Sequence, residues 1–343
     1  DQLSGVRLLS ADAAWFEGVQ RWSDSINQAI LRGRDTDATQ PIHVAVYGRS
    51  AETDDAPERS GFDTDTYGLM LTTDRRVSAR GYLGGALGYE QASADFTRHG
   101  GSSESETANA AVRYAFEPRG DIRFSATATA GYGDIETTRP VAFAGTVANS
   151  DTDAWQAGVQ LTGEHTFFAN DTRRLTAIAG AGYLMAERSA FDETSAAGAA
   201  GADGAGGVLL NDVKKREMES VVTQLGMRVT DRIQWGETTL APELSLIWIH
   251  DFNADEDPLE ARLGAVTGTD ADGASGSTSG TGSTASTAAL ALADAERDAN
   301  RLRIDAGVSA RLGERTTARL GYTGDLGSNT TSHQGNVEFT VRF

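Results

Sequence analysis

From Pro41 to its C-terminus the chain alternates apolar and polar residues at a spacing of two, through twelve separate segments. A strand sends successive side chains to opposite faces, so each segment must lie between one apolar and one polar environment. Val77, Ala79, Leu83, Leu87 and Tyr89 share one face, with Arg76, Ser78, Arg80, Tyr82 and Glu90 on the other. Ala108, Ala110, Val112, Tyr114 and Phe116 oppose Thr107, Asn109, Arg113 and Glu117. Ile122, Phe124, Ala126, Ala128 and Tyr132 are set against Arg123, Ser125, Thr127 and Thr129. Near the end, Leu302, Ile304, Ala306, Val308, Ala310 and Leu312 oppose Arg301, Arg303, Asp305, Ser309 and Arg311. The last strand sets Val337, Phe339, Val341 and Phe343 against Glu338, Thr340 and Arg342.

A soluble sandwich also alternates, and two features favour a membrane barrel over it. Aromatic residues of the apolar face gather near strand ends, as in Tyr89, Phe116, Tyr132, Trp155, Tyr183, Trp248, Tyr322 and Phe343, where outer-membrane barrels carry interfacial girdles. The connections also alternate in length. Short ones are expected at 73–75, 118–121, 169–172, 234–237 and 313–315; longer ones fall near 51–62, 93–106, 137–152, 191–216, 254–298 and 325–331. Short turns on one side and long loops on the other are the barrel pattern. The fold class predicted is therefore all-β: a transmembrane barrel of twelve antiparallel strands. No stretch approaches the ~18–20 apolar residues of a spanning helix, which says nothing against a barrel.

The segment before the strands reads differently. Over Ala11–Arg32, Trp15, Val19, Trp22, Ile26, Ala29 and Ile30 recur at helical spacing, and Glu17, Gln20, Arg21, Asp24, Asn27 and Gln28 lie mostly off that stripe. Ser10 or Asp12 is a candidate cap, and Gly33 follows the last periodic residue. Such a helix packs either on a soluble core or inside the barrel. The polar strand face decides for the lumen. Arg80, Arg113, Arg123, Arg228, Arg303, Arg311 and Arg319 alternate there with Glu90, Glu117, Glu243, Asp305 and Glu338. These should line a wet interior, and twelve strands leave room for one helix of ~10–12 Å diameter. Trp15 and Trp22 are expected to fill volume, while Glu17, Arg21 and Asp24 meet the charged wall. Two divisions follow: 1–34 as linker and pore-spanning helix, and 35–343 as barrel.

Composition narrows function mainly by exclusion. With 30 basic and 49 acidic residues the net charge is −19, against phosphate-backbone binding. Lys214 and Lys215 are the only lysines, and there is no cysteine, which excludes disulfides and thiolate metal sites. No cofactor or metal is expected. The N-terminus carries no signal-peptide pattern, as in a mature or trimmed chain. Residues 195–207 and 267–288 are low-complexity and too polar to order themselves strongly; Ala288–Asn300 is ambiguous between helix and strand. Acidic clusters at Glu52, Asp54 and Asp55, and at Asp255, Glu256 and Asp257, read as solvated loops, with cation bridging to lipopolysaccharide as the weaker alternative. No hydrolase elbow, zinc-protease motif or phosphate loop is present. His43, His99, His165, His250 and His333 are scattered.

The C-terminus carries the most specific signal. The run Leu320-Gly321-Tyr322-Thr323-Gly324-Asp325-Leu326-Gly327-Ser328-Asn329, then His333-Gln334-Gly335-Asn336-Val337, ending Val341-Arg342-Phe343, resembles the close of autotransporter β-domains. Asp63-Thr64-Asp65-Thr66-Tyr67-Gly68-Leu69 with Asp74-Arg75-Arg76, Gly84-Gly85-Ala86-Leu87-Gly88-Tyr89, and Trp248-Ile249-His250-Asp251-Phe252 resemble earlier parts of the same family. The chain departs from it in having Glu338 where Gly is common and in lacking a Trp near Tyr47. It also lacks the Asn-Asn pair that the self-cleaving subgroup carries in its helix, so autoproteolysis is not expected. The resemblance implies a translocator in the bacterial outer membrane, loops outside and C-terminus at the periplasmic side, serving a passenger that precedes residue 1. Implied partners are outer-membrane lipid and lipopolysaccharide, periplasmic chaperones, the barrel-assembly machinery and the passenger itself, but no nucleic acid. The barrel is expected to be a monomer and not an enzyme. Val337, Phe339, Val341 and Phe343 would form the assembly signal. A phospholipase-like barrel using a Ser/His pair and a stand-alone adhesin are the alternatives.

Overall fold

The computed structural model describes residues 6–32, 41–56, 60–98, 100–195, 209–236, 238–254, 259–263, 289–292 and 297–342. Among them, twelve long strands close into one antiparallel barrel: β1 (Pro41–Thr53), β2 (Phe62–Arg76), β3 (Gly81–Phe96), β4 (Ser102–Arg119), β5 (Ile122–Val141), β6 (Thr146–Ala169), β7 (Arg173–Arg188), β8 (Arg216–Asp231), β9 (Thr238–Asp251), β10 (Asn300–Arg311), β11 (Thr316–Leu326) and β12 (Thr330–Arg342). Each pairs with its sequence neighbour, and β1 pairs with β12 to close the ring. Closure leaves no sheet edge, the condition for a β structure in lipid, where an unsatisfied backbone group costs several kcal/mol. The seam sets Ile42 opposite Val341, Val44 opposite Phe339 and Val46 opposite Val337.

The alternation faces outward as expected. Leu69, Leu71, Leu83, Leu87, Val112, Val159, Leu161, Leu225, Leu246 and Leu320 are exposed on the outer wall, while Thr66, Thr127, Thr162, Gln160 and Gln224 are buried inside. Two aromatic rows bound this apolar belt. One holds Tyr67, Tyr89, Tyr132, Tyr183, Trp248 and Tyr322; the other, nearer the short turns, holds Tyr114, Phe116, Phe124, Phe167, Phe168 and Trp235. On β5, Phe124 and Tyr132 stand eight residues apart, about 27 Å along a strand and about 20 Å across the membrane at a ~40° tilt. That is close to the ~25 Å apolar band of outer-membrane barrels.

Beyond the upper row the pattern keeps its period but changes sign. On β5, Phe124, Ala126, Ala128 and Ala130 point outward below Tyr132, whereas Asp134 and Glu136 point outward above it. The inward residues change from Ser125, Thr127 and Thr129 to Ile135, Thr137, Arg139 and Val141. The strands here have left lipid for water on the outside, and the inside has become a packed collar of apolar residues and buried ion pairs. Segment 137–152, expected to be a loop, is consequently a hairpin: β5 runs 20 residues to Val141, β6 runs 24 from Thr146, and a single 3-10 turn at Ala142–Ala144 joins them.

Other boundaries also move. The first short turn falls at 77–80 rather than 73–75, because Asp74 continues the inward phase of β2 and binds Arg113. The connection expected at 325–331 shrinks to 327–329. Leu259–Leu263 pairs with both Leu210–Asn211 and Ala289–Leu292, so the ambiguous stretch after Ala288 begins as a strand. Residues 196–208 and 264–288, most of the two low-complexity stretches, lie outside the described residues.

Candidate functional site: a helix in a charged lumen

The helix α1 (Val6–Arg32) has 27 residues, about 40 Å of length, and starts a turn and a half before the expected Ala11. Neither proposed cap lies at its start. Ser10 is internal and donates to the backbone oxygens of Val6 and Ser60, at 3.1 and 2.9 Å. Asp12 is buried between two arginines, with Arg188 Nε at 2.8 Å and Arg216 Nη1 at 3.2 Å.

The helix sits inside the barrel and has no solvent face over its upper half. Leu8 and Leu9 pack under the loop residues Leu210, Val213, Leu259 and Ala261. Ala11, Ala13 and Ala14 meet Phe62, Ala94 and Phe96. Trp15, Phe16 and Val19 pack on Ile135, Ala154, Leu184, Ala186 and Met218. Lower down, Trp22 and Ile26 rest against Ala45, Tyr47, Met70 and Ala86. Gly88 on β3 is required there: a Cβ would stand 2.6 Å from the Trp22 indole nitrogen. The N-terminal end of α1 thus lies at the loop end, opposite the end where β1 begins and β12 stops.

The wall is charged, and most charges have partners one or two strands away. Near the turn end, Arg113 donates to Asp74 at 2.6 Å, Arg123 lies 3.7 Å from Glu117, and Arg228 pairs with Glu164. The series continues with Arg319 and Glu243 at 3.5 Å and His43 and Glu338 at 3.1 Å, nearly encircling the lumen. Higher up, Glu90 accepts from Asn109 at 3.5 Å and lies 3.9 Å from Arg49. Asp305 accepts from Ser245 and Thr323 at 2.8 and 2.7 Å. Arg303 bridges wall and helix, with Asp325 Oδ1 at 2.9 Å and Asp24 Oδ2 at 2.8 Å. On α1, Arg21 donates to Glu17 at 3.0 Å, Glu17 accepts from Thr330 at 3.3 Å, and Trp15 donates to Thr107 at 3.4 Å.

Two residues expected in the lumen are elsewhere. Arg80 lies in the exposed turn between β2 and β3, a consequence of the shifted turn, and Arg311 is exposed as the last residue of β10. Val337, Phe339 and Val341 face outward on β12; Phe343 lies outside the described residues.

A family model for the autotransporter β-domain matches residues 42–292 of this chain. The chain belongs to the autotransporter β-domain family. Among solved structures, the translocator domain of autotransporter NalP from Neisseria meningitidis is similar at a TM-score of 0.72 and 10% identity, covering 98% of this chain and 99% of that one. The β-domain of the Bordetella autotransporter BrkA is similar at 0.56 and 16% identity, over 89% and 100% of the two chains. The transport unit of AIDA-I from Escherichia coli is similar at 0.52 and 10% identity, over 91% and 92%. No curated protein matches the chain by sequence. At these identities the likeness is one of fold, and the side chains of the lumen must be read from this β-domain itself.

Several of those side chains carry no sequence signal that alternation could find. Asp325 lay in an expected loop. Arg139, Glu193, Arg188 and Arg216 lie in or beside expected loops, yet all are buried, with Arg139 bidentate on Glu193. The one usable clue was the density of arginine at the strand ends flanking 189–215.

Proposed function

We propose that this β-domain is the outer-membrane translocator of a longer polypeptide, carrying a passenger N-terminal to α1 to the cell exterior. The observation that supports this is the polarity of the helix. It runs from the loop end, at Val6, toward the turn end, where the chain enters β1 at Pro41 and leaves β12 at Arg342. A polypeptide preceding residue 1 therefore attaches at the loop side. With short turns periplasmic and long loops external, as is usual for outer-membrane barrels, that side is the exterior. Outer-membrane lipid and lipopolysaccharide cover the apolar belt. Assembly proceeds through periplasmic chaperones and the barrel-assembly machinery, which reads the Val337, Phe339, Val341 and Phe343 face of the last strand. The closed ring needs no second copy, so the unit is a monomer. The β-domain does not act as an enzyme; biological activity resides in the passenger.

The reading is tested by fusing an epitope-tagged reporter ahead of Asp1 behind a signal peptide and treating intact cells with protease. The tag is expected to be digested while the barrel remains. A tag protected in intact cells and digested only after lysis would place the helix N-terminus on the inner side and reverse the orientation.

A further inference from the structure

The lipid-facing wall is not uniform. Along one hydrogen-bonded row, Phe116 of β4, Phe124 of β5, Gly163 of β6, Ala179 of β7 and Leu225 of β8 stand side by side. Side-chain bulk drops out over β6 and β7 and returns at β8. One step toward the loop end, Ala181 is opposite Leu161. The result is an open apolar groove of about 620 Å³, with Gly163, Ala179 and Ala181 as its floor and Tyr114, Phe124 and Leu161 along its side. Such a volume is in the ~300–1,000 Å³ range of ligand sites. Left empty, it would forfeit the dispersion contacts of its lining. Water does not enter the apolar belt to fill it, whereas a flexible hydrocarbon chain can.

Charge selects the occupant. The groove lies in the turn-side half of the belt, close to its polar edge. Two residues beyond Gly163 on the same face of β6, His165 lies 3.5 Å from Asp121, and both are about half exposed. On the next strands, Arg173 of β7 donates to both carboxylate oxygens of Asp231, at 2.7 and 2.9 Å. The first pair offers an imidazole and a carboxylate, the second a guanidinium and a carboxylate, which suits a headgroup bearing both a phosphate and an ammonium. At the loop end of β4–β6 the outer face instead carries Glu104, Glu106, Asp134, Glu136, Asp151 and Asp153, which repel a phosphate. We infer that the groove on β5–β7 holds one zwitterionic phospholipid of the turn-side leaflet, with an acyl chain along Gly163, Ala179 and Ala181 and its headgroup at His165–Asp121 and Arg173–Asp231. Naming that leaflet the periplasmic one rests on the orientation proposed above; the binding itself does not.

The test uses the full chain of 343 residues, purified in detergent and mixed with phosphatidylethanolamine carrying a photoreactive diazirine on one acyl chain. Cross-links should concentrate on β5–β7. Ala179→Phe fills the groove from an exposed outward position and should cut that yield about tenfold, equivalent to ~1.4 kcal/mol of binding. Leu71→Phe, on the outer wall of β2, should leave it unchanged. Native mass spectrometry should show one phosphatidylethanolamine retained per parent barrel, and His165→Ala should erase its preference over phosphatidylglycerol. Cross-links spread evenly around the barrel, a yield unaffected by Ala179→Phe, or a preference that survives His165→Ala overturns the inference. So does a dimer that dissociates in Ala179→Phe, which would make the groove a contact between copies. Tighter retention of lipid A than of phosphatidylethanolamine overturns it as well, by placing the ligand in the other leaflet. All of these readouts are taken in detergent and are independent of which side of the membrane the loops face, so their failure is distinct from failure of the translocator reading.

Discussion

Asp12→Ala isolates what fixes the upper helix in the barrel. The carboxylate is 1% exposed and takes both Arg188 and Arg216 as partners. Removing it leaves two buried guanidiniums facing an apolar methyl. Breaking a buried pair by deleting one partner typically costs about 3–5 kcal/mol, because the orphaned charge stays desolvated. Part of this is recovered here: Arg188 also donates to the Lys214 carbonyl at 3.2 Å and lies 4.7 Å above the Phe191 ring. About 3 kcal/mol is the expected loss in helix docking, roughly a hundredfold in the docked-to-undocked ratio. The barrel itself, closed by backbone bonds far from Asp12, should keep its heat-modifiable mobility. Undocking is read as bursts of large conductance in planar bilayers and as protease cleavage within 6–32 in detergent micelles. Removing one cation together with the anion, in Asp12→Ala with Arg188→Met, should restore at least half of the lost docking, since fewer orphaned charges remain. A single variant with parental burst frequency and protease resistance would refute the argument and show that the apolar collar alone holds the helix.

Three further outcomes are expected. Residues 35–343 should still assemble into a barrel, with higher single-channel conductance and a lower thermal midpoint than the full chain; equal conductance would mean the helix contributes no resistance. Deleting Phe343 should lower the yield of SDS-resistant, heat-modifiable barrel in cells, since that residue ends the alternating apolar series of the last strand in the sequence; normal yield would remove it from the assembly signal. On the outer face of β5, two residues above Tyr132, loss of hydration together with the hydrogen bond and charge shared with Asp153 raises the Asp134 pKa above its ordinary 3.8. A carboxyl whose folded pKa is raised contributes stability below its unfolded pKa and loses it as pH rises through the folded value. Asp134→Asn should therefore raise the thermal midpoint slightly at pH 7, by an amount that salt reduces, and have no effect at pH 3. A drop at pH 7 would contradict the sign.

The fold was legible because a membrane imposes one rule on every strand. Period-two alternation, read with the aromatic rows, gives strand number and the outward set without any long-range information. It failed where its premise ended. Above Tyr132 the outside is water, so Asp134 and Glu136 stand outward in positions that held Ala128 and Ala130 lower down, and the stretch looked like a loop. The turn after β2 lies at 77–80, later than its composition suggests, for a related reason. Thr73-Asp74-Arg75 has turn composition, but Asp74 is a lumen residue held by Arg113. Arg80 shares the parity of Tyr82 and Glu90 but precedes β3, in the turn, and so lies outside the lumen. Partners were less legible still. Nothing local in the sequence links Asp12 to Arg216, or Asp24 to Arg303, across separations of 204 and 279 residues; only the closed ring brings them together.

The same ring explains a charge of −19 in a protein whose interior is rich in arginine. Among the described residues, thirteen arginines are buried against eight acids, and most of the thirteen meet an acid of the wall or helix. The acidic excess stands outside, above the upper aromatic row. Across β4, β5 and β6, Glu104 is opposite Glu136 and Glu136 opposite Asp151, while Glu106 is opposite Asp134 and Asp134 opposite Asp153. Like charges directly opposed on neighbouring strands destabilise a sheet by a few tenths to about 1 kcal/mol each. The long hairpin tolerates them because its inner face is tied elsewhere: Ile135 packs on the helix, and Arg139 is locked to Glu193. Stability of this upper collar is thus supplied from within, by α1 and the loop residues over it. Losing the helix should loosen the acidic hairpin before it affects the lipid-embedded strands, whose backbone bonds have no competing water.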